Sequence, residues 1–157
     1  MQIIKNFLPE EEFNNLKDLI INDRLPLYFE NSVASEEDTE HFYFTHIFYN
    51  DQLPTSENFK IILPILKKIN LKALLRAKVN CYTKSEKLIK HGKHSDYKFS
   101  HNGAVFSLNT CDGGTFIGDN FIPSIENQML FFDSSIPHQS TNCTDAKCRF
   151  NININYF

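Results

Sequence analysis

The 157-residue chain contains no tryptophan, five glycines and six prolines, too few of the last two for a fibrous or low-complexity polymer. Its four cysteines, Cys81, Cys111, Cys143 and Cys148, include no CxxC pair. The opening residues, MQIIKNFLPEEEF, lack the basic end and long apolar run of a signal peptide. A reducing, cytoplasmic setting is the expectation that fits both. No stretch approaches the ~20 apolar residues needed to cross a bilayer, so no spanning segment is expected. Internal repeats and Gly/Ser-rich or Pro-rich linkers are also missing, and residues 1–157 read as one domain. At this length roughly two thirds of the unfolded surface is buried on folding, so neither a disulfide nor a structural metal is required to hold the core. What is present is aromatic: fifteen Phe and six Tyr.

Charge of neither sign dominates. A net charge of −3 gives no support by itself to nucleic-acid binding. The distribution is uneven, however. Between Lys60 and Lys98 eleven Lys and Arg stand against only Glu86 and Asp96, while the rest of the chain holds five basic and seventeen acidic residues. This belt has two readings: solvated faces of a helix and its neighbouring strands, or a surface that steers an anionic partner.

Along the chain, MQIIKNFL reads as a short strand. Pro9 with Glu10, Glu11 and Glu12 suits the first turn of a helix, because proline loses nothing there and carboxylates favour the positive end of the helix dipole. Phe13, Leu16, Leu19 and Ile20 follow at helical spacing. The turn signals and acidic run of Leu25 to Glu40 predict a surface loop able to act as a lid. Phe42 to Tyr49 is strand-like, and Ser56 to Asn70 reads as a second helix. After Leu71 come short strands: Ala77–Tyr82, Gly103–Asn109, Thr115–Ile117, Gln128–Phe132 and Arg149–Phe157. Helices followed by strands predict a mainly β fold, a sandwich or jelly roll braced by N-terminal α-helices. In the last strand Arg149, Asn151, Asn153 and Asn155 alternate with Phe150, Ile152, Ile154 and Tyr156. Its polar face points either to solvent or into a ligand cavity between two sheets; periodicity alone does not choose.

His94-Ser95-Asp96 places an imidazole and a carboxylate two positions apart, on one side of an extended segment. Alone the motif is weak, since six His and nine Asp give about 0.3 chance occurrences of HxD in this length. His138 adds to it, preceded by the apolar run Met129-Leu130-Phe131-Phe132 and a turn, and followed eleven residues later by Arg149. Two imidazoles and one carboxylate occupy one face of an octahedral ion and leave three positions open. Two of these suit a bidentate 2-oxo acid and one dioxygen, and a nearby guanidinium suits the acid's far carboxylate.

From Lys78 to Phe157 the sequence resembles the iron(II)/2-oxoglutarate-dependent oxygenases, in particular the prolyl-hydroxylase-like branch and its short phage and bacterial members. The likeness is carried by VNCYTKSEKLIKHGKHSDY, GAVFSLNT, FFDSSIPHQS and CRFNININYF, in that order. It implies a double-stranded β-helix (a cupin-like jelly roll), with His94, Asp96 and His138 as Fe(2+) ligands and Arg149 as anchor for the distal carboxylate of 2-oxoglutarate. Tyr82 matches a tyrosine that lines the co-substrate pocket in relatives. Two positions depart from the prolyl-hydroxylase pattern: Ser107 stands where some members carry a tyrosine, and Asn151 where many carry a serine or threonine. Both can still donate hydrogen bonds to the co-substrate. The implied reaction uses O2, releases succinate and CO2, and hydroxylates a C–H bond of a peptide, protein or small molecule, with a peptidyl, prolyl-like substrate favoured.

Blander roles compete for each residue: turn and strand-end side chains for the triad, a rim salt bridge for Arg149, core packing for Tyr82. His91 and His101 read as surface or substrate-side groups rather than ligands, and the spacing of Cys143 and Cys148 is poor for zinc. Two other functions stand beside the hydroxylase: an oxygenase acting on nucleic acid through the basic residues 60–98, and a jelly-roll binding module that turns over nothing.

Overall fold

The computed structural model describes residues 1–34 and 41–157. The described chain runs β1 (Gln2–Ile4), α1 (Glu10–Ile21), β2 (Tyr28–Glu30), β3 (Tyr43–Asn50), β4 (Leu53–Pro54), a 3-10 helix (Glu57–Ile62), α2 (Leu63–Ile69), β5 (Leu74–Thr83), β6 (Asn102–Ser107), β7 (Cys111–Ile117), β8 (Asn120–Ser124), β9 (Gln128–Asp133), β10 (His138–Ser140) and β11 (Cys148–Tyr156).

Local chemistry explains most of these boundaries. The three glutamates fill the first turn of α1, and Phe13, Leu16 and Ile20 form its buried stripe while Leu19 stays exposed. The helix expected over Ser56–Asn70 is interrupted. Pro64 has no N–H to offer the carbonyl four residues back, so the 3-10 turn capped by Ser56 gives way to a fresh helix with the proline in its first turn. Asn70 ends that helix in the left-handed conformation, at φ 56°. The loop expected over Leu25–Glu40 contains the short edge strand β2, paired with β3; residues 35–40, with the acidic run of that loop, lie outside the described residues.

The strands form two antiparallel sheets. The larger has the order β1-β9-β6-β11-β5-β3-β2, with β4 on β3, and the smaller the order β10-β7-β8. Isolated bridges join the segment after β5 to the region of β10: Lys84 to Cys143, Lys90 to Thr141 and His94 to His138. The smaller sheet is thereby extended on its β10 side. Strands that alternate between two facing sheets in this way make a jelly roll.

β11 lies at the centre of the larger sheet and both of its faces are covered. Ile152 and Ile154 are fully buried with Phe7, Phe13, Leu16, Ile65, Phe106 and Met129, against the N-terminal helices. The Phe106 ring meets Phe7 and Phe13 edge-on, each at 5.9 Å between centroids. The opposite face carries Arg149, Asn151, Asn153 and Asn155, all buried between the sheets. The polar face therefore points inward, toward a cleft. Replacing Ile152 by Ala should cost about 3 kcal/mol in urea unfolding, the usual range for a core isoleucine; a loss below about 1 kcal/mol would contradict this packing.

Candidate metal and anion site

His94, Asp96 and His138 converge: one ligand atom from each lies within 4.8 Å of the others. Backbone pairing brings the histidines together, His94 N–H donating to His138 O at 3.0 Å and His138 N–H to His94 O at 2.8 Å. Their ring centroids are 4.7 Å apart. Each Nδ1 faces a carbonyl two residues back, Gly92 at 3.1 Å and Ile136 at 3.0 Å. A carbonyl only accepts, so each Nδ1 carries the proton and each Nε2 keeps a lone pair for an ion. His138 Nε2 lies 3.8 Å from Asp96 Oδ2.

Asp96 is held from three sides. Arg76 donates to Oδ1 at 2.6 Å, and the Ser134 hydroxyl and the Asn155 amide donate to Oδ2 at 2.5 and 2.8 Å. Burial pushes this carboxyl up, but Arg76, Ser134, His138 and Asn155 together outweigh it and hold the group well below the usual carboxylate range. Burial, then the neighbouring His138, lowers the pKa of His94. The site therefore contains an ionised carboxylate and a neutral His94, the forms that coordinate a metal. Two nitrogens and one oxygen suit a borderline divalent ion of the first transition row. Gly103 makes room for the arrangement: a Cβ there would meet Ser134 Cβ at 2.6 Å.

A narrow cleft opens beside this cluster. Arg149 lines it, 1% exposed, donating to Thr141 O at 2.9 Å and Thr115 Oγ1 at 3.0 Å. Among the described residues its Nε has no hydrogen-bond partner and no carboxylate lies within ion-pair distance of it. Its guanidinium sits 5.6 Å from the Tyr82 ring centroid. A buried cation without a counter-charge is costly to keep, and such a site favours an anionic ligand. Further along the wall, Lys78 Nζ donates to the Tyr43 hydroxyl at 3.0 Å. Burial, then Arg76, brings the Lys78 pKa down to about 8; burial raises that of Tyr43, which stays neutral.

The residues singled out in the sequence fall into three groups. His94, Asp96, His138, Arg149, Tyr82 and Asn151 all line the cleft, with Asn151 Oδ1 accepting from Asn80 Nδ2 at 3.1 Å. Ser107 is buried on β6 opposite Asn151 but does not line the cleft; the hydroxyl beside Arg149 belongs to Thr115. His91 and His101 are not surface groups. Both are buried, His91 Nδ1 at 2.9 Å from Ser140 Oγ and His101 Nε2 at 3.3 Å from the Asn155 amide. Arg76, Ser134, Asn155, Thr115, Tyr43 and Lys78 were not read as site residues. The only signal for Asn155 was its place on the polar face of β11. Two cations of the basic belt, Arg76 and Lys78, are turned inward rather than toward a partner.

Titration with Co(II) should show one site per chain, lost in His138→Ala and retained in Arg149→Gln. Ser134→Ala should weaken it by about 10-fold or more, as when a hydrogen-bond support of a metal ligand is removed. Unchanged affinity in Ser134→Ala would show that Asp96 does not depend on that support.

No family model matches the sequence, and no curated protein matches it. Solved structures do. The chain is similar to a prolyl hydroxylase from Trichoplax adhaerens in complex with a peptide fragment of the hypoxia inducible factor oxygen degradation domain: 16% identity over 99% of this chain and 82% of that one, TM-score 0.71. It is similar to the viral collagen prolyl hydroxylase of Paramecium Bursaria Chlorella virus-1 in its 2OG complex, at 14% identity, 98% and 93% coverage and TM-score 0.65. A prolyl-4-hydroxylase from Pseudomonas putida matches at 14% identity, 99% and 91% coverage and TM-score 0.63. Alike in fold to these structures over nearly its whole length, the chain has the double-stranded β-helix fold found in the 2OG-Fe(II) oxygenases, prolyl hydroxylases among them.

Proposed function

We propose that this chain is an iron(II)- and 2-oxoglutarate-dependent oxygenase that hydroxylates a C–H bond, with a peptidyl, prolyl-like group as the favoured substrate. The observation that carries this reading is the placement of a buried Arg149, with no acidic partner among the described residues, in the same cleft as the His94, Asp96 and His138 donors. The donor set fits the ion: two imidazole nitrogens with available lone pairs and an ionised carboxylate. When bound, iron(II) supplies the redox chemistry by which O2 and 2-oxoglutarate give succinate, CO2 and one new C–OH bond on the substrate.

The remaining work falls to this chain. Arg149 binds the distal carboxylate, its guanidinium fixed by Thr115 and Thr141 so that little freedom is lost on binding. Tyr82, between the Arg149 guanidinium and the Tyr43 ring, forms a flat wall for the co-substrate. Asn151 and Asn80 offer amide groups along its length. Arg76, Ser134 and Asn155 orient Asp96. No side chain is required as a general base, because hydrogen-atom abstraction leaves no proton for the protein to accept.

A peptide is preferred to nucleic acid because Arg76 and Lys78 of the basic belt face the interior, and to a non-catalytic module because triad and anchor occur together. Prolyl hydroxylases among similar structures support the same choice. The domain is taken to span residues 1–157, and the four free thiols support a reducing, cytoplasmic setting. No described helix is long and apolar enough to cross a membrane.

The test is succinate release from 2-oxoglutarate with iron(II) under air, across peptide, oligonucleotide and small-molecule pools. Turnover should be abolished in His94→Ala. In Arg149→Gln the KM for 2-oxoglutarate should rise by about 10-fold or more, the scale of a lost charged hydrogen-bonded pair, with iron affinity unchanged. Equal loss of both affinities would place the anchor elsewhere.

A further inference from the structure

Arg149 accounts for one carboxylate, yet the cleft contains a second cation that the proposed reaction does not use. Lys78 lines the same wall as the triad. Its position follows from register: on β5 it pairs with Asn153 of β11, whereas Arg149 pairs with Tyr82. Four residues of strand, about 13 Å, separate Lys78 from Tyr82 along β5. Two residues from Lys78 in the other direction, Arg76 grips Asp96. Lys78 is thus at the metal end of the cleft, away from the anchor.

Among the described residues no carboxylate forms an ion pair with it; Asp96 and Glu30 favour its charge only from beyond ion-pair distance. The ammonium has three N–H bonds, and among the described residues its one hydrogen-bond acceptor is the Tyr43 hydroxyl, at 3.0 Å. Its 5.2 Å approach to the Tyr43 ring adds a second uncharged neighbour. Asp96 is already engaged by Arg76, Ser134 and Asn155 and forms no ion pair with Lys78. A pKa near 8 leaves the amine mostly protonated at pH 7. The Tyr43 ring stacks on Tyr82 at 5.5 Å, so the hydroxyl that steadies Lys78 belongs to the aromatic wall that also faces Arg149.

We infer that Lys78 and Tyr43 form a second anion-binding point at the metal end of the cleft, for a carboxylate distinct from the one held by Arg149. Two ligands present such a group there: the oxo-acid end of the co-substrate, or a carboxylate on the molecule to be oxidised. The inference rests on the oxygenase reading for the place of the metal, and deepens it by assigning a charge to what binds beside that metal. Lys78 is a binding residue in this scheme and takes no part in bond breaking.

Calorimetry on Mn(II)-loaded protein separates the sources. The first arm compares 2-oxoglutarate with 2-oxopentanoate, which keeps the oxo-acid end and lacks the distal carboxylate. Arg149→Gln should weaken only the former. If Lys78 holds the oxo-acid carboxylate, Lys78→Gln should weaken both at least 10-fold and Lys78→Arg should restore most of the loss. The second arm titrates acetate against acetamide, with and without saturating 2-oxoglutarate. Acetate binding that persists beside 2-oxoglutarate and disappears in Lys78→Gln assigns the point to the substrate. Tyr43→Phe, which keeps the ring and removes the hydroxyl, should give a smaller loss in whichever arm responds, and serves if Lys78→Gln does not fold. Indifference to Lys78 and Tyr43 in both arms overturns the inference. Failure of wild-type protein to bind 2-oxoglutarate would instead overturn the oxygenase reading, and the acetate arm would still decide the role of Lys78.

Discussion

A β-strand that buries both faces usually does so with apolar side chains on both, because burying unpaired polar atoms is costly. β11 does otherwise. Its inward face is one arginine and three asparagines, and the arrangement is sustained by cross-connections: Asn151 to Asn80, Asn155 to Asp96 and Ser134, Arg149 to Thr115 and Thr141. Asparagine suits the task because its amide both donates and accepts without adding net charge. Several polar atoms on this wall, among them Arg149 Nε, Asn80 Oδ1 and Asn153 Oδ1, have no hydrogen-bond partner within the described chain. A wall kept polar at this cost is a wall built for ligands.

The electrostatics of the cleft are graded along that wall. At one end Asp96 and Arg76 nearly cancel, with the Lys78 ammonium beside them, leaving a carboxylate that is ionised, fixed and still within reach of the histidine nitrogens. At the other, Arg149 stands as a bare cation against the Tyr82 ring. His94, Asp96 and His138 come from the segment after β5 and from β10, while Arg149 comes from β11 of the larger sheet, so the two sheets must face each other for all four to line one cleft. The N-terminal helices contribute no residue to the cleft; they cover the rear of the sheet that carries Arg149.

Much of this could be read in the sequence, because His94 and Asp96 stand two residues apart, His138 follows an apolar run and a turn, and Arg149 opens the cleanly alternating face of β11. What escaped was whatever depends on register. Arg76, Ser134 and Asn155 reach Asp96 from 20, 38 and 59 residues away, and Thr115 lies 34 residues from Arg149. None of these separations is visible without knowing that β5 pairs with β11 and that the smaller sheet lies opposite. Ser107 shows the same dependence: register places it on the neighbouring strand directly opposite Asn151, where it is buried without lining the cleft. Among the elements, β2 was hidden by turn signals and β8 by its proline, while Pro64 divided what periodicity alone joined.

The two-residue alternation of β11 ties chemistry to folding in a way that admits no partial failure. Shifting the strand by a single position would rotate every side chain through the sheet, driving a guanidinium and three amides into the helical core while isoleucines filled the gap beside the histidines. An insertion or deletion within β11 therefore cannot retune the cleft while sparing stability. Variation in this strand is confined to substitutions that respect its parity, and changes of length must be absorbed in the turns outside it.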